Sequence, residues 1–173
     1  LEGRAMLFDD KIRGFCDAPP VEAEVIDAGG GYVSPGLIDV HCHGFMGWDA
    51  SHGSLDELRL MSRRTAQFGV TSWLPTTMTL DWPVLEQCFA AIREAQGESL
   101  SPEWNGAQVL GCHAEGPFIN PKKKGAQAEA CIQRPDAGKL RPWADVVRLM
   151  TLAPEMDGAL ACIRQAADMG ITV

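Results

Sequence analysis

No apolar stretch in the sequence approaches the ~18 residues of a membrane span, and the N-terminus lacks the hydrophobic core of a signal peptide. Residence in the cytoplasm with no membrane partner is the expectation. Positive charge is also scarce: 15 Lys and Arg against 23 Asp and Glu leave a net charge of -8. An acidic surface of this kind disfavours nucleic acid and anionic membranes as partners, because both are polyanions. The single basic run, Lys122, Lys123 and Lys124, reads as a solvated loop, or as a contact to an anionic substrate if a site lies beside it. The six cysteines, at positions 16, 42, 88, 112, 131 and 162, include no C-x-x-C pair. Neither a zinc knuckle nor a disulfide framework is expected, and the thiols are read as reduced. With only four histidines in the chain, any imidazole metal site must be built from few donors.

What is present has the pattern of an α/β protein. Residues 6 to 33 are short β material: Met6 to Phe8, a turn at Asp9-Asp10, an alternating Lys11 to Phe15, then Glu22 to Ile26 before the glycines at 29 to 31. From Val33 onward strands and helices alternate, and the strands are apolar enough to be covered on both faces. LIDVHCH leads into a helix opened by Ser54 and Glu57 at capping-box spacing. Leu58, Met61, Thr65 and Phe68 fall on one face of that helix, and Gly69 ends it. VTSWLPT (70–76) is the second strand. A helix over Pro83 to Ala95 follows, capped by Asp81, with Leu85, Phe89 and Ile92 inward. AQVLGCHAE (107–115) is the third strand, 116–136 a long loop, VVRLMTLA (146–153) the fourth strand, and 156–169 a helix. Gly170 to Val173 reads as the opening of a fifth strand. The expected architecture is the first four βα units of a (β/α)₈ barrel over 33–173, preceded by strands of a small β-sandwich over 1–32, with the chain stopping partway through the barrel.

Alternate strand residues point the same way, so His41 and His43 project together while Cys42 faces the other side. At the C-terminal end of a first barrel strand, where catalytic groups collect, two imidazoles suit Zn²⁺ or another borderline divalent cation. The alternative is a pair of hydrogen-bonding histidines at a strand end. Glu115 closes the third strand before Gly116-Pro117, which leaves its carboxylate at the mouth, as a third donor or as a loop-capping glutamate. His113 shares the parity of Glu115 one pair deeper and reads as packed or outer-layer. His52 reads as solvated. Asp39, deeper on the first strand, is positioned to orient an imidazole N–H.

YVSPGLIDVHCHG resembles the first strand of the amidohydrolase superfamily, and GCHAEGPFINPKKKGAQ with TLAPE resembles the N-acetylglucosamine-6-phosphate deacetylase family within it, from about residue 25 to the end. The resemblance implies a metal-dependent hydrolysis of the acetamide of N-acetylglucosamine 6-phosphate to glucosamine 6-phosphate and acetate. It implies one or two divalent ions, zinc first and iron, manganese or cobalt as alternatives, held by His41, His43 and Glu115. VVRLMTLAPE lacks the metal-bridging lysine found in many other amidohydrolases, which agrees with Glu115 in that role. Ala126 matches a loop position whose backbone contacts the sugar. Gln127 stands where a histidine is common, so its expected substrate contact departs from the family pattern. The proton-shuttling aspartate and two further histidine ligands are implied beyond Val173, so this chain alone is expected to be inactive. A homodimer is the expected assembly. Rival readings are an amidohydrolase acting on a cyclic amide and a noncatalytic half-barrel.

Overall fold

The computed structural model describes residues 3–9 and 11–173, and the chain divides between Pro35 and Gly36 into two compact units. In the first unit, β1 (Ala5–Phe8) and β2 (Ile12–Cys16) form a two-stranded antiparallel ribbon with Ala5 opposite Cys16 and Met6 opposite Phe15. The expected Asp9-Asp10 turn lies partly outside the described residues, since Asp10 is not among them; Asp9 accepts the Lys11 amide at 2.9 Å. Residues 22 to 26, expected as a strand, form none. Pro19 and Pro20 precede a turn in which Ala23 donates to the Pro20 carbonyl, and Val25 and Ile26 stay exposed, lining a cavity together with β1 without forming a strand against it.

The second unit is a parallel sheet with helical crossovers. Its strands are β3 (Leu37–Cys42), β6 (Val70–Thr77), β7 (Gln108–Val109), β8 (Cys112–Glu115) and β9 (Val147–Thr151), with a small hairpin of β4 (Gly44–Phe45) and β5 (Trp48–Asp49) directly after β3. The order is β3-β6-β8-β9, with β7 also on β6, and every pair among these five is parallel. β7 and β8 are two pieces of the single strand expected at 107–115. Gly111 breaks it: its φ of +138° lies in a region that L-side chains avoid, and a Cβ there would stand 2.6 Å from the Val146 carbonyl. Thr172 pairs with Leu149 as an isolated parallel bridge, the start of a further strand position beside β9.

Helix α1 (Leu55–Ala66) is capped by Ser54, whose hydroxyl accepts the Glu57 amide. The reciprocal half of the expected capping box is missing, because the Glu57 carboxylate takes the Asp49 amide at 3.1 Å and His52 Nδ1 at 2.8 Å. His52 is thus paired and not simply solvated, and that bond raises its affinity for a proton. Leu58, Met61 and Thr65 are buried as their spacing requires. Phe68 is not: the helix ends at Ala66, so Phe68 leaves the periodic face and lies 67 % exposed with its ring edge against Phe45. Helix α2 (Trp82–Glu98) buries Leu85, Phe89 and Ile92. Asp81 does not cap it through its side chain, which meets the Cys131 thiol instead, while its carbonyl accepts the Val84 and Leu85 amides. The third crossover is mostly loop, with only a short α3 (Ala137–Leu140); α4 (Ala159–Asp168) follows β9.

Helices and sheet share one apolar core around Trp73, Phe89, Phe118, Leu58 and Met61, each fully buried and each worth about 1.5–3 kcal/mol of burial. Trp73 Nε1 donates to the Ser62 hydroxyl at 3.0 Å, so the indole is buried without an orphaned donor. Coverage of both sheet faces holds for β6 but fails at the edge strand β3, where Leu37, Ile38 and Val40 stay 60 %, 63 % and 49 % exposed. Among the described residues all six cysteines are free, and no helix is long and apolar enough to cross a membrane.

Replacing Gly111 by Ala forces an unfavourable φ and a clash with backbone. The expected loss is about 1–3 kcal/mol of stability in urea unfolding; an unchanged midpoint contradicts the assignment of this glycine as an obligatory break.

Candidate metal centre

The parallel sheet places its C-terminal strand ends side by side, and three donors meet there. His41 lies at the end of β3, His43 one residue beyond it, and Glu115 ends β8; one ligand atom from each lies within 4.8 Å of the others. His41 is exposed, while His43 and Glu115 are half-buried. His43 Nε2 stands 2.9 Å from Glu115 Oε2.

The orientation of His43 follows from the strand beside it. Its Nδ1 lies 3.1 Å from the Thr76 carbonyl on β6. A carbonyl only accepts, so Nδ1 carries the proton, and Nε2 is left facing the carboxylate. Without a proton or a cation between them, a bare ring nitrogen and a carboxylate oxygen would present lone pairs to each other. The geometry is that of two ligands converging on a positive charge. A set of two imidazoles and one carboxylate fits a borderline divalent cation such as Zn²⁺.

Thr76 has a second task. Its hydroxyl accepts the Cys42 amide at 2.9 Å and donates to the Leu74 carbonyl at 3.1 Å. The β3–β6 register is irregular between Asp39 and Cys42, where β3 runs against Pro75, a residue without an N–H. At this irregular point the Thr76 side chain supplies the acceptor for the amide between the two histidines. Cys42 itself faces away from them and packs partly into the core; burial pushes its thiol up to about 11, with Asp39 and Asp49 adding to the effect. It stands outside the group of three converging donors.

The other residues singled out in the sequence are placed as follows. Asp39 accepts the backbone N–H of His41 at 3.0 Å, so it braces the strand at that residue and does not orient a ring as expected. His113 is buried, with Nδ1 on the Val40 carbonyl at 2.9 Å and Nε2 on the Thr151 hydroxyl at 2.8 Å. Both nitrogens are used, and burial holds the ring below the usual histidine range, so it is a neutral prop. Its ring lies edge-on to His41 at 4.9 Å between centroids, and His41 in turn lies edge-on to His43 at 4.8 Å. Ala126 is exposed in the loop that brings Gln127 to the site. Gln127, expected to touch substrate, is buried with its amide against Glu115 Oε2 at 2.6 Å.

Thr76, Thr79 and Thr151 escaped the reading of the sequence. Thr76 and Thr151 stand at the C-terminal ends of their strands, the same position that drew attention to His41 and Glu115. That placement was the available signal, and hydroxyls are too common to have stood out by type.

These features define a parallel α/β domain with a mixed imidazole–carboxylate centre at the C-terminal edge of its sheet. No family model matches the chain. It is 35 % identical over 159 residues to the N-acetylglucosamine-6-phosphate deacetylase of Bacillus subtilis, a match spanning 88 % of this chain and 39 % of that protein. It is 32 % identical over 158 residues to the N-acetylgalactosamine-6-phosphate deacetylase of Escherichia coli, spanning 89 % of this chain and 41 % of the relative. The crystal structure of N-acetylglucosamine-6-phosphate deacetylase from Pasteurella multocida superposes with a TM-score of 0.87 at 29 % identity, covering 99 % of this chain and 45 % of that one. The chain is thus a relative of these amino-sugar-phosphate deacetylases and spans less than half the length of those it matches.

Thr76→Val keeps the shape of the side chain and strands the Cys42 N–H. Loss of about 1–3 kcal/mol is expected, measured by denaturant unfolding; a neutral result means that another acceptor serves Cys42.

Proposed function

We propose that this chain carries the first half of a metal-dependent amide hydrolase that converts N-acetylglucosamine 6-phosphate and water to glucosamine 6-phosphate and acetate. The observation that carries the reading is the meeting of His41, His43 and Glu115 at the C-terminal strand ends, in a chain 35 % identical to a deacetylase of that name. The parallel order β3-β6-β8-β9, with Thr172 beginning a position beyond β9, supports the first four units of a (β/α)₈ barrel. The β1–β2 ribbon supports a share in a small β-sandwich over residues 1–32. On this reading the missing coordination positions, the proton-shuttling aspartate and the phosphate contacts belong to strands five to eight of the complete barrel. The exposed apolar edge at β3 would be covered by that second half, and the complete protein would work in the cytoplasm as a homodimer.

His41, His43 and Glu115 would hold a divalent cation, which would supply Lewis-acid polarisation of the amide carbonyl and lower the pKa of a water. The chain's own residues hold and aim the donors. Thr76 fixes the His43 tautomer through its carbonyl and the strand between the histidines through its hydroxyl. His113, wedged between Val40 and Thr151, props His41 from below. Ala126, exposed and next in the chain to Gln127, offers backbone to the sugar. Lys122 and Lys123 lie exposed in the turn before it, where they can attract an anionic substrate.

Two experiments test this reading. In competition with a chromophoric chelator, the wild-type chain is expected to bind Zn²⁺, and His41→Ala, His43→Ala and Glu115→Gln each to weaken binding by at least about tenfold, the lower end of what even outer partners of a metal cost. Equal binding by all three variants rejects the site. Separately, acetate release from N-acetylglucosamine 6-phosphate is expected from a version extended through four further βα units and not from the 173-residue chain. Turnover by the short chain overturns the need for the second half. Preference for the galactosamine epimer, or hydrolysis of a cyclic amide alone, overturns the substrate assignment.

A further inference from the structure

Resting on the metal-site reading above, we propose that Gln127 is a positioning residue that determines which Glu115 oxygen faces the two imidazoles. It is not a contact for the sugar. Its side chain is only 6 % exposed. Oε1 accepts the Thr79 backbone N–H at 2.6 Å. A primary amide has one accepting end and one donating end, so this bond dictates that Nε2 points the other way. Nε2 then donates to Glu115 Oε2 at 2.6 Å and lies 3.7 Å from Met78 Sδ. Both ends of the amide are committed within the protein, and no accessible polar atom is left for a substrate hydroxyl.

The oxygen that receives this bond is the one 2.9 Å from His43 Nε2. Gln127 therefore pins the carboxylate rotamer that makes the three-donor cluster. The anchor is itself cross-braced. Thr79 Oγ1 donates to the Glu115 carbonyl at 3.1 Å, so Thr79 grips the glutamate through its backbone and, by way of Gln127, through its side chain. The Gln127 backbone N–H donates to the Lys124 carbonyl, and Lys124 Nζ donates back to the Gln127 backbone carbonyl at 3.1 Å, which fixes the loop end that carries the side chain. A carboxylate freed of this clamp could swing away from the imidazoles; clamped, it presents one oxygen at a fixed place.

The test uses Gln127→Met, which keeps length and removes donor and acceptor. Zinc affinity is measured by chelator competition on the 173-residue chain, well below its melting temperature, with the melting temperature of the metal-free chain read in parallel. Loss of the Thr79 partner lowers the melting temperature whether the role is structural or positioning. The zinc dissociation constant of the folded chain rises only for a positioning role, by about 10- to 100-fold. Unchanged affinity in a folded variant, beside a wild type that binds zinc, overturns this inference and leaves the metal site standing. A wild type that binds no zinc overturns both. Should the variant fail to fold, the Gln127 side-chain amide protons of the ¹⁵N-labelled wild type decide. Resonances displaced from those of free glutamine, and moving on zinc addition, support the clamp; resonances at free-glutamine positions overturn it.

Discussion

The candidate site depends on one defect in a ladder. Pro75 sits inside β6 and has no N–H to offer β3, and the register between the two strands slips there. Where the register slips, the Cys42 N–H finds its acceptor in the Thr76 hydroxyl. The Thr76 carbonyl meanwhile receives His43 Nδ1. One residue thus serves the backbone between the histidines and the ring of one of them. Proline in a central strand ordinarily argues against the strand; here it lies where the β3–β6 register slips, next to the residue that serves both Cys42 and His43.

Around that point, division of labour follows depth. The deepest ring, His113, has both nitrogens occupied and is kept neutral by burial, so it shapes the floor. The shallower His43 turns its Nε2 toward Glu115. Cys42, between them in sequence, is turned away by strand parity and held as a thiol. A soft ligand is thereby excluded from a site whose remaining donors are nitrogen and oxygen.

Much of this was readable in the residues. The alternation from LIDVHCH to VVRLMTLA gave the parallel α/β order, and the period of two gave the common direction of His41 and His43. Proximity of Glu115 to that pair was an expectation drawn from its place at a strand end. What could not be read was tertiary. Asp39 was matched to a ring, yet the amide two residues on is its nearest donor and wins by proximity. Gln127 was matched to substrate, and its burial against Glu115 depends on how a loop of about twenty residues folds back, which no local pattern encodes. The break at Gly111 and the early end of α1 before Phe68 are likewise decided by neighbours: the Val146 carbonyl in one case and the helix terminus in the other.

His41, His43 and Thr76 are set by strand backbone, whereas the hairpin of β4 and β5 and the turn at Lys122 stand outside that frame. The hairpin is nonetheless tied back to the site, since the Ala50 N–H donates to the His43 carbonyl at 2.8 Å, so its length fixes where that histidine's backbone ends. The turn at Lys122, exposed to solvent, makes no such bond to either histidine among the described residues.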